Sequence, residues 1–518
     1  MNIINKLLLT VLILVASAHC CAAGRLNLVD SMTDLKSGRN QIWKERLQLT
    51  MRVAGNSAEG VLVEVEPDSE ELVANYNERV SDSIGIELFA VVEVAVEGKA
   101  PVPDVLVPIK NGESIGKGQL LYVRIAVGSG PVKRAERTII LRGRCCESLI
   151  QLVIEPSDIQ LPKELPITVQ ATIRQHLGWP MNRTEDINTQ KMLLAFLSAY
   201  RINGVAGIAE GKKFGNARDE RSAVAPAYTE VVRYAFEELG FVRIRIPAKK
   251  MFSPNRPMSE RFPKTALRQS YESSLRKHLQ RYDEVLRNPS WKGKLSYKIW
   301  DEPHSKHYPD VVLSYQVAKH LRPDLKLELS EQPDVRLADV ADVWTPYITF
   351  LKESDIDEQH KRNKEVWVYA NMVHGIDHPA YGMRIIGWLL WKYRLDGYLF
   401  WAINWWNTDP WTTVSSQARD FMKRGTLVYP GSDGRVYSSL RLEEFRKGIE
   451  DFLLLMALDK SAEGEGERAE EAKRFVRQLS RIYNLQERYD NAPNPARYRE
   501  AIMEIIGVTA HDSLPTSN

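Results

Sequence analysis

Alternating apolar and polar positions dominate the first part of the chain. The alternating or apolar runs are "GVLVEVE", "IGIELFAVVEVAVEG", "GQLLYVRIAVG" and "RTIILRG", separated by Gly, Pro, Asn and Ser. Short runs of this kind, with no helical period between them, are typical of an antiparallel β-sandwich. We therefore predict a sandwich domain over residues 24–160, ending at the proline-rich segment "PSDIQLPKELP".

Beyond that segment, short apolar runs alternate with amphipathic stretches such as "INTQKMLLAFLSAY", "AYTEVVRYAFEELG" and "YPDVVLSYQVAKHL". The predicted strands are "ITVQATI", "GVAGIA", "VRIRI", "LSYKIW", "LKLEL", "VADVW", "VWVY" and "GYLFWA". Eight strands within about 240 residues match a (β/α)8 barrel, which we assign to residues 161–430. A doubly wound open sheet is the alternative, but no Gly-rich phosphate loop follows the first strand.

Helical periodicity returns in the last part of the chain. The stretches "LRLEEFRKGIEDFLLLMALDK", "AEGEGERAEEAKRFVRQLSRIY" and "PARYREAIMEIIG" carry apolar residues three and four positions apart. We predict a C-terminal helical region over residues 431–518.

The N-terminus has the features of an export signal. Lys6 precedes the apolar run "LLLTVLILVA", and small residues suitable for cleavage follow it. We assign residues 1–23 to a signal peptide and predict an exported protein, periplasmic or extracellular. No later run is long and apolar enough for stable membrane insertion.

Composition narrows the class of partner. The 518 residues include 70 basic and 67 acidic side chains, so a net charge of +3 gives no reason to expect a nucleic-acid partner. The four cysteines form two adjacent pairs without zinc-site spacing, and the ten histidines are scattered, so we predict no metal ion and no organic cofactor. The sequence does not indicate an oligomeric state.

The stretch "KIWDEP" carries the strongest chemical signal. Asp301 and Glu302 follow the fourth predicted barrel strand, and barrel enzymes build their active sites where strands end. Pro303 stops strand pairing directly after the two acids. We therefore predict that Asp301 and Glu302 are catalytic and that the substrate is a glycan.

A second, distant carboxylate is missing from the expected place. Retaining glycosidases usually draw a nucleophile from a strand across the barrel, but the seventh strand ends with Tyr369, Asn371 and His374, and Glu365 lies at its other end. A 2-acetamido sugar removes this need, because its own carbonyl oxygen attacks the anomeric carbon. Adjacent acids suit that mechanism, one as proton donor and one oriented toward the amide.

Aromatic and polar side chains at other strand ends are predicted to bind the sugar. Eight of the twelve Trp residues lie between positions 344 and 411, and indole stacks on the apolar face of a sugar. Trp388 and Trp391, three apart on a helix, fit core packing instead. The predicted substrate-binding residues are Trp344, Tyr347, Tyr369, Asn371, Trp401, Asn404, Trp405 and Glu331.

The chain resembles glycoside hydrolase family 123 and its wider relatives from about Asp104 to Lys460. The resemblance rests on the β domain and on "KIWDEP", "EVWVYANM", "GWLLWKYRLDGYLFWAINWWNTDPW" and "YPGSDGRVYSSLRLEEFRKGIEDFLLL". It implies a β-sandwich followed by a (β/α)8 barrel, and a retaining exo-β-N-acetylgalactosaminidase that uses substrate assistance. It implies that Asp301 polarises the acetamido group, that Glu302 is the general acid/base, and that no cofactor is needed.

Two other functions remain open at this point. One is a glycosidase for a different sugar, with Glu331 or another acid as protein nucleophile. The other is a carbohydrate-binding surface protein that has the barrel and its aromatic residues but no turnover.

Overall fold

The computed structural model describes most of the chain outside its N-terminus and several loops. The described residues are 25–29, 42–67, 71–81, 83–96, 100–130, 133–144, 146–173, 187–208, 226–249, 257–370, 375–376, 378–404, 410–411, 426–431, 433–485, 489 and 492–511. The predicted export signal, residues 1–23, lies outside these ranges and stays a prediction. Within them, no helix is both long enough and apolar enough to pass through a bilayer.

Two β-sheets form the N-terminal part of the described structure. Their strands are β1 (Leu26–Val29), β2 (Arg46–Gly55), β3 (Ser57–Val65), β4 (Leu72–Asn75), β5 (Arg79–Ser81), β6 (Ile84–Val94), β7 (Val102–Ile109), β8 (Ser114–Ile115), β9 (Leu120–Val127), β10 (Ala135–Arg142) and β11 (Glu147–Gln160). One sheet has the order β1-β3-β9-β6-β7, with β5 paired to β6, and the other has the order β2-β11-β10-β4-β8. Apolar side chains from both sheets share one hydrophobic core.

The prediction of antiparallel pairing is wrong for one pair of strands. β2 and β11 run parallel, with Leu49 opposite Leu152. The alternation of β2, in which Leu47, Leu49 and Met51 are buried, fixes which face points inward. It carries no information about the direction of a partner that lies about a hundred residues further along the chain.

The predicted barrel is confirmed. Its strands are β12 (Thr168–Thr172), β13 (Gly204–Ala206), β14 (Arg243–Ile246), β15 (Leu295–Tyr297), β16 (Lys326–Leu329), β17 (Val343–Trp344), β18 (Glu365–Val368) and β19 (Gly397–Phe400). Each pairs in parallel with the next, and β19 pairs with β12 to close the barrel. These strands match the apolar runs because the described positions facing the surrounding helices are buried and apolar.

Helices cover the outside of the barrel. They are α1 (Ile187–Ala199), α2 (Pro226–Arg233), α3 (Lys264–Gln280), α4 (Asp283–Leu286), α5 (Tyr308–Leu321), α6 (Glu353–Lys361) and α7 (Gly382–Lys392). A π-helical turn at Tyr234–Glu238 continues α2. On α7, Trp388 and Trp391 are buried, and their indole N–H groups donate to Asp451 and Asp459.

A hairpin after the barrel returns to the N-terminal sheet. β20 (Tyr429–Pro430) and β21 (Val436–Ser439) are antiparallel, and β21 pairs with the edge of β7. The helical periodicity predicted from residue 431 onward did not include this strand, which is only four residues long. Asp104 of β7 secures it from below, because its carboxylate accepts hydrogen bonds from Tyr429 and Arg441.

Three helices complete the described C-terminal part: α8 (Leu440–Ala462), α9 (Glu467–Leu479) and α10 (Ala496–His511). α8 is buried along most of its length and crosses α7 closely. A Cβ atom added to Gly387 of α7 would lie 1.8 Å from the carbonyl oxygen of Gly448 on α8. The two helix backbones therefore touch at this point, which only glycine allows.

Buried ion pairs connect α8 to the N-terminal sheets. Glu443 accepts from Arg446 at 2.8 Å and lies 3.5 Å from Arg124 of β9. Burial acts to raise the pKa of Glu443, but the charges of Arg124 and Arg446 outweigh it and lower that pKa to about 2. Arg446 also pairs with Glu450, and Arg124 also pairs with Glu87.

Candidate active site

The two predicted catalytic acids lie where the chain leaves β15. Asp301 forms an isolated parallel bridge with Ser330, which follows β16. The next residue, Glu302, donates its backbone N–H to the carbonyl oxygen of Ser330 at 2.8 Å. Glu302 has a φ of +48°, in the left-handed region that non-glycine residues seldom adopt. Such backbone strain is concentrated at functional sites.

Packing beneath the acids fixes the path of this segment. The indole of Trp300 is buried and donates to the hydroxyl of Ser314 on α5 at 3.0 Å. After Pro303, the side chain of His304 accepts from the backbone N–H of Lys306 and begins the turn into α5. The strained residue thus has an anchored segment on each side.

Asp301 has a basic partner inside the barrel. The ammonium of Lys298 lies 2.5 Å from its Oδ1 atom and donates to the hydroxyl of Ser330 at 2.6 Å. The Asp301 side chain is 61% exposed, whereas that of Lys298 is 12% exposed. The carboxylate therefore faces solvent while its counter-charge lies beneath it.

Glu302 has a different partner. The hydroxyl of Tyr369, directly after β18, donates to Oε1 of Glu302. Burial, and then this hydrogen bond, raise the pKa of Tyr369 well above its ordinary value. Tyr347 packs edge-on against Tyr369, with ring centroids 5.2 Å apart. The structure therefore brings together two predicted sugar-binding residues and the predicted proton donor.

Glu331 also belongs to this neighbourhood. Burial raises its pKa, and the nearby charge of Glu302 acts in the same direction, while a hydrogen bond from the backbone N–H of Gln332 opposes them. Electrostatic influence of this kind requires that the two carboxyl groups lie near one another. A raised pKa in a cleft is a common property of catalytic acids.

Two other predicted sugar-binding residues lie near the end of β19. Trp401 is 39% exposed, so its indole is accessible to a ligand. Asn404 is 1% exposed and lies in the protein interior. The predicted residues Asn371 and Trp405, like His374, lie outside the described residues, and their roles stay predictions.

Trp344 corrects one prediction. It is completely buried and belongs to the hydrophobic core between the barrel strands and the helices. In the two-residue strand β17, neighbouring side chains point to opposite faces, and the Trp344 position faces the helices. Its indole therefore cannot stack on a sugar, and we assign it to the core.

Glu365 lies at the opposite end of the barrel, as its position at the start of β18 predicts. Its carboxylate accepts from Arg243 of β14 at 3.1 Å and pairs with Lys326 of β16 at 3.2 Å. The indole N–H of Trp367 also donates to it. These contacts assign Glu365 to a structural ion-pair cluster.

Charged residues cross the barrel interior, and the sequence analysis did not single them out. Glu328 of β16 accepts from Arg245 of β14 and from Gln170 of β12, both at 3.1 Å. These strands are not neighbours, so the contacts span the interior. Burial opposes ionisation of Glu328, but Arg245 outweighs it and the pKa of Glu328 is lowered. The alternation of Ser296 and Lys298 along β15 and its extension was the available sequence signal for an inward-facing lysine.

The described residues offer no evident metal site. No group of three or more His, Cys, Asp or Glu side chains in the described ranges is arranged to hold an ion.

Comparison with known proteins agrees with this architecture. Residues 251–458 match the family model described as "Glycoside hydrolase 123, catalytic domain". A family 123 glycoside hydrolase from Clostridium perfringens, whose study concerns glycolipid glycan hydrolysis, aligns with a TM-score of 0.65 at 11% identity. That alignment covers 95% of this chain and 99% of the other, and it shows a shared fold. No curated protein matches the sequence.

Other solved structures align more weakly. An exo-β-1,4-mannosidase from Opitutaceae bacterium strain TAV5 has a TM-score of 0.34 at 11% identity, covering 60% of each chain. A GH10 xylanase from Thermobacillus composti has a TM-score of 0.32 at 12% identity, covering 55% of this chain and 97% of its own. Similarity at this level does not bear on function.

A barrel with paired acids at its mouth, matched to a glycosidase catalytic domain, defines the class: the protein is a glycoside hydrolase. Its catalytic domain belongs to glycoside hydrolase family 123.

Proposed function

We propose that this enzyme removes a terminal β-linked N-acetylhexosamine, with N-acetylgalactosamine favoured, by a retaining, substrate-assisted reaction. One observation carries the proposal: the consecutive residues Asp301 and Glu302 occupy the barrel mouth with different partners. Lys298 pairs with Asp301, and Tyr369 donates to Glu302. The preference for N-acetylgalactosamine and the exo action follow from the family resemblance. Export through the N-terminal segment is part of the same proposal.

In the first step, the acetamido carbonyl oxygen of the substrate attacks the anomeric carbon as the glycosidic C–O bond breaks. Glu302 donates its proton to the departing oxygen. The negative charge of Asp301 orients the amide N–H and stabilises the positive charge that develops on the oxazolinium ion. In the second step, Glu302 takes a proton from water as the water oxygen attacks the anomeric carbon, which restores the acetamido group with retention of configuration.

The surroundings of the acids support a sugar-binding role. Tyr347 and Tyr369 present aromatic edges and hydroxyl groups beside Glu302. Trp401 adds an accessible indole near the end of β19. Such aromatic faces pack against the C–H face of a pyranose, while hydroxyl groups bind its polar edge.

A protein nucleophile is the second candidate mechanism, and Glu331 is the observation that favours it. This carboxyl group lies close enough to Glu302 for their charges to interact. A direct displacement would proceed through a covalent glycosyl–Glu331 ester and would not require an acetamido group.

Four variants and two substrates decide between these mechanisms. We expect E302Q and D301N each to lower kcat for a nitrophenyl 2-acetamido-2-deoxy-β-galactoside by about 10²–10⁴-fold, because each removes part of the acid–base and electrostatic assistance. E331Q should retain activity within about tenfold, and E365Q, at the far end of the barrel, should retain full kcat. A thiazoline analogue of the oxazolinium should inhibit tightly.

Equal cleavage of the plain nitrophenyl β-galactoside would contradict substrate assistance. Loss of activity in E331Q together with a trapped covalent ester would establish the protein-nucleophile mechanism instead.

A further inference from the structure

Lys298 differs from an ordinary surface lysine in both burial and contacts. It follows β15 directly, three residues before Asp301, and its side chain runs along the barrel interior. Its ammonium contacts Oδ1 of Asp301 at 2.5 Å and Oγ of Ser330 at 2.6 Å. Ser330 also bridges Asp301 through the backbone. The lysine and the strand extension therefore hold Asp301 at two points.

The charges around Lys298 define its electrostatic role. The ionisable groups that act on it are Asp301 above and Arg245 and Glu328 below. Glu328 already accepts from Arg245 and Gln170, so Asp301 is the anion in direct contact with the lysine. Burial lowers the pKa of Lys298, and the charge of Asp301 acts against that effect. The two groups thus stabilise each other's charged forms.

The contacts of the two adjacent acids are consequently unequal. A cation supports Asp301 from inside the barrel, whereas a neutral phenol contacts Glu302. Two carboxyl groups of neighbouring residues repel each other, and an asymmetric environment determines which one keeps its proton. The same asymmetry matches the reaction, which needs one anion and one acid.

We propose that Lys298 is a positioning residue that keeps the Asp301 carboxylate ionised and aimed at the acetamido N–H of the substrate. This inference rests on the proposed function, and it explains why Asp301 rather than Glu302 is the charged member of the pair. Lys298 need not touch the sugar, because it acts through Asp301.

A double-mutant cycle tests the proposal with nitrophenyl 2-acetamido-2-deoxy-β-galactoside as substrate. We expect K298M to lower kcat by about 10²-fold, the loss typical of a misplaced catalytic group, with KM changed less than about threefold. K298M/D301N should be no slower than D301N, because the lysine then has no carboxylate to position. The thiazoline analogue should bind K298M more weakly by the same factor as the loss in kcat.

The controls separate positioning from folding. K326M removes the lysine that pairs with Glu365 at the opposite barrel end, so it should leave kcat unchanged. S330A keeps the lysine charge but removes one contact of its ammonium, and we expect kcat to fall about fivefold with an unchanged melting temperature. S330A thus tests the proposal even where K298M does not fold.

Each outcome has a distinct meaning. Wild-type kcat in K298M, wild-type kcat in S330A, or losses that multiply in the double variant would overturn the role of Lys298. Low activity of D301N beside full activity of K298M refutes this inference alone. Full activity of D301N refutes the substrate-assisted mechanism and this inference together.

Discussion

Replacing Glu443 by Gln should destabilise the protein substantially, because it removes a buried charge between two parts of the fold. The carboxylate of Glu443 on α8 pairs with Arg446 on the same helix and with Arg124 on β9. All three side chains are largely buried. E443Q preserves the size of the side chain and leaves both guanidinium groups without this counter-ion.

Two routes give the same magnitude. A pKa lowered from the ordinary 4.5 to about 2 is equivalent to about 3 kcal/mol, at about 1.4 kcal/mol per pH unit. Breaking a buried ion pair by removing one partner typically costs about 3–5 kcal/mol. The lower end applies here, because Arg446 keeps Glu450 and Arg124 keeps Glu87. We therefore expect E443Q to lower the free energy of unfolding by about 3 kcal/mol at pH 7.

The pH dependence has a defined sign. Since folding lowers the pKa of Glu443, its stabilisation is present above the unfolded value near 4.5 and is lost as the pH falls toward about 2. The difference between wild type and E443Q should therefore shrink across that range. Urea titrations at several pH values, followed by tryptophan fluorescence, measure it.

Glu470 provides a matched control. It pairs with Lys473 at the same three-residue helical spacing, but its side chain is 55% exposed, compared with 1% for Glu443. E470Q should leave the urea midpoint unchanged, since exposed ion pairs contribute little. Equal urea midpoints for E443Q and wild type at pH 7, or a difference that grows on acidification, would refute the reasoning.

Three further predictions concern the site and the packing around it. Y369F removes the hydroxyl that donates to Glu302, so kcat should fall about tenfold; because the pKa of Tyr369 is raised well above its ordinary value, the wild-type pH–rate profile should show no phenol ionisation up to pH 10. E365Q should lower the melting temperature while kcat stays unchanged, since Glu365 pairs with Arg243 and Lys326 away from the acids; a large loss of kcat in a folded variant would contradict that assignment. G387A should cost about 3 kcal/mol of stability or prevent folding, because its Cβ would collide with Gly448, whereas G507A, with open space around it on α10, should be neutral or slightly stabilising in thermal unfolding.

The barrel strands could be predicted because burial leaves a local trace in the sequence. Runs such as "VRIRI" and "GYLFWA" are bounded by turn residues and separated by helical periods, so order alone implies parallel pairing. The direction of β2 relative to β11 and the return of β21 to β7 depend on partners far away in sequence. Hydrophobic pattern cannot specify such partners.

Within the site, residue type and strand-end position pointed to the acid pair, and the structure places both acids together with Tyr369 and Tyr347. The same reasoning misplaced Trp344, because a strand end two residues long does not show which side chain faces the mouth. It also passed over Lys298, whose importance depends on burial beneath Asp301 rather than on a recognisable motif.

The hairpin after the barrel has a consequence for protein engineering. Ser438 and Ser439 hydrogen-bond to the outer edge of β7, so the N-terminal sheet is completed by chain that is synthesised some three hundred residues later. Expressing the barrel alone, or grafting a relative's N-terminal region in front of it, would split a sheet rather than cut a linker. Chimeras of this enzyme should therefore exchange the hairpin together with the sheet that it completes.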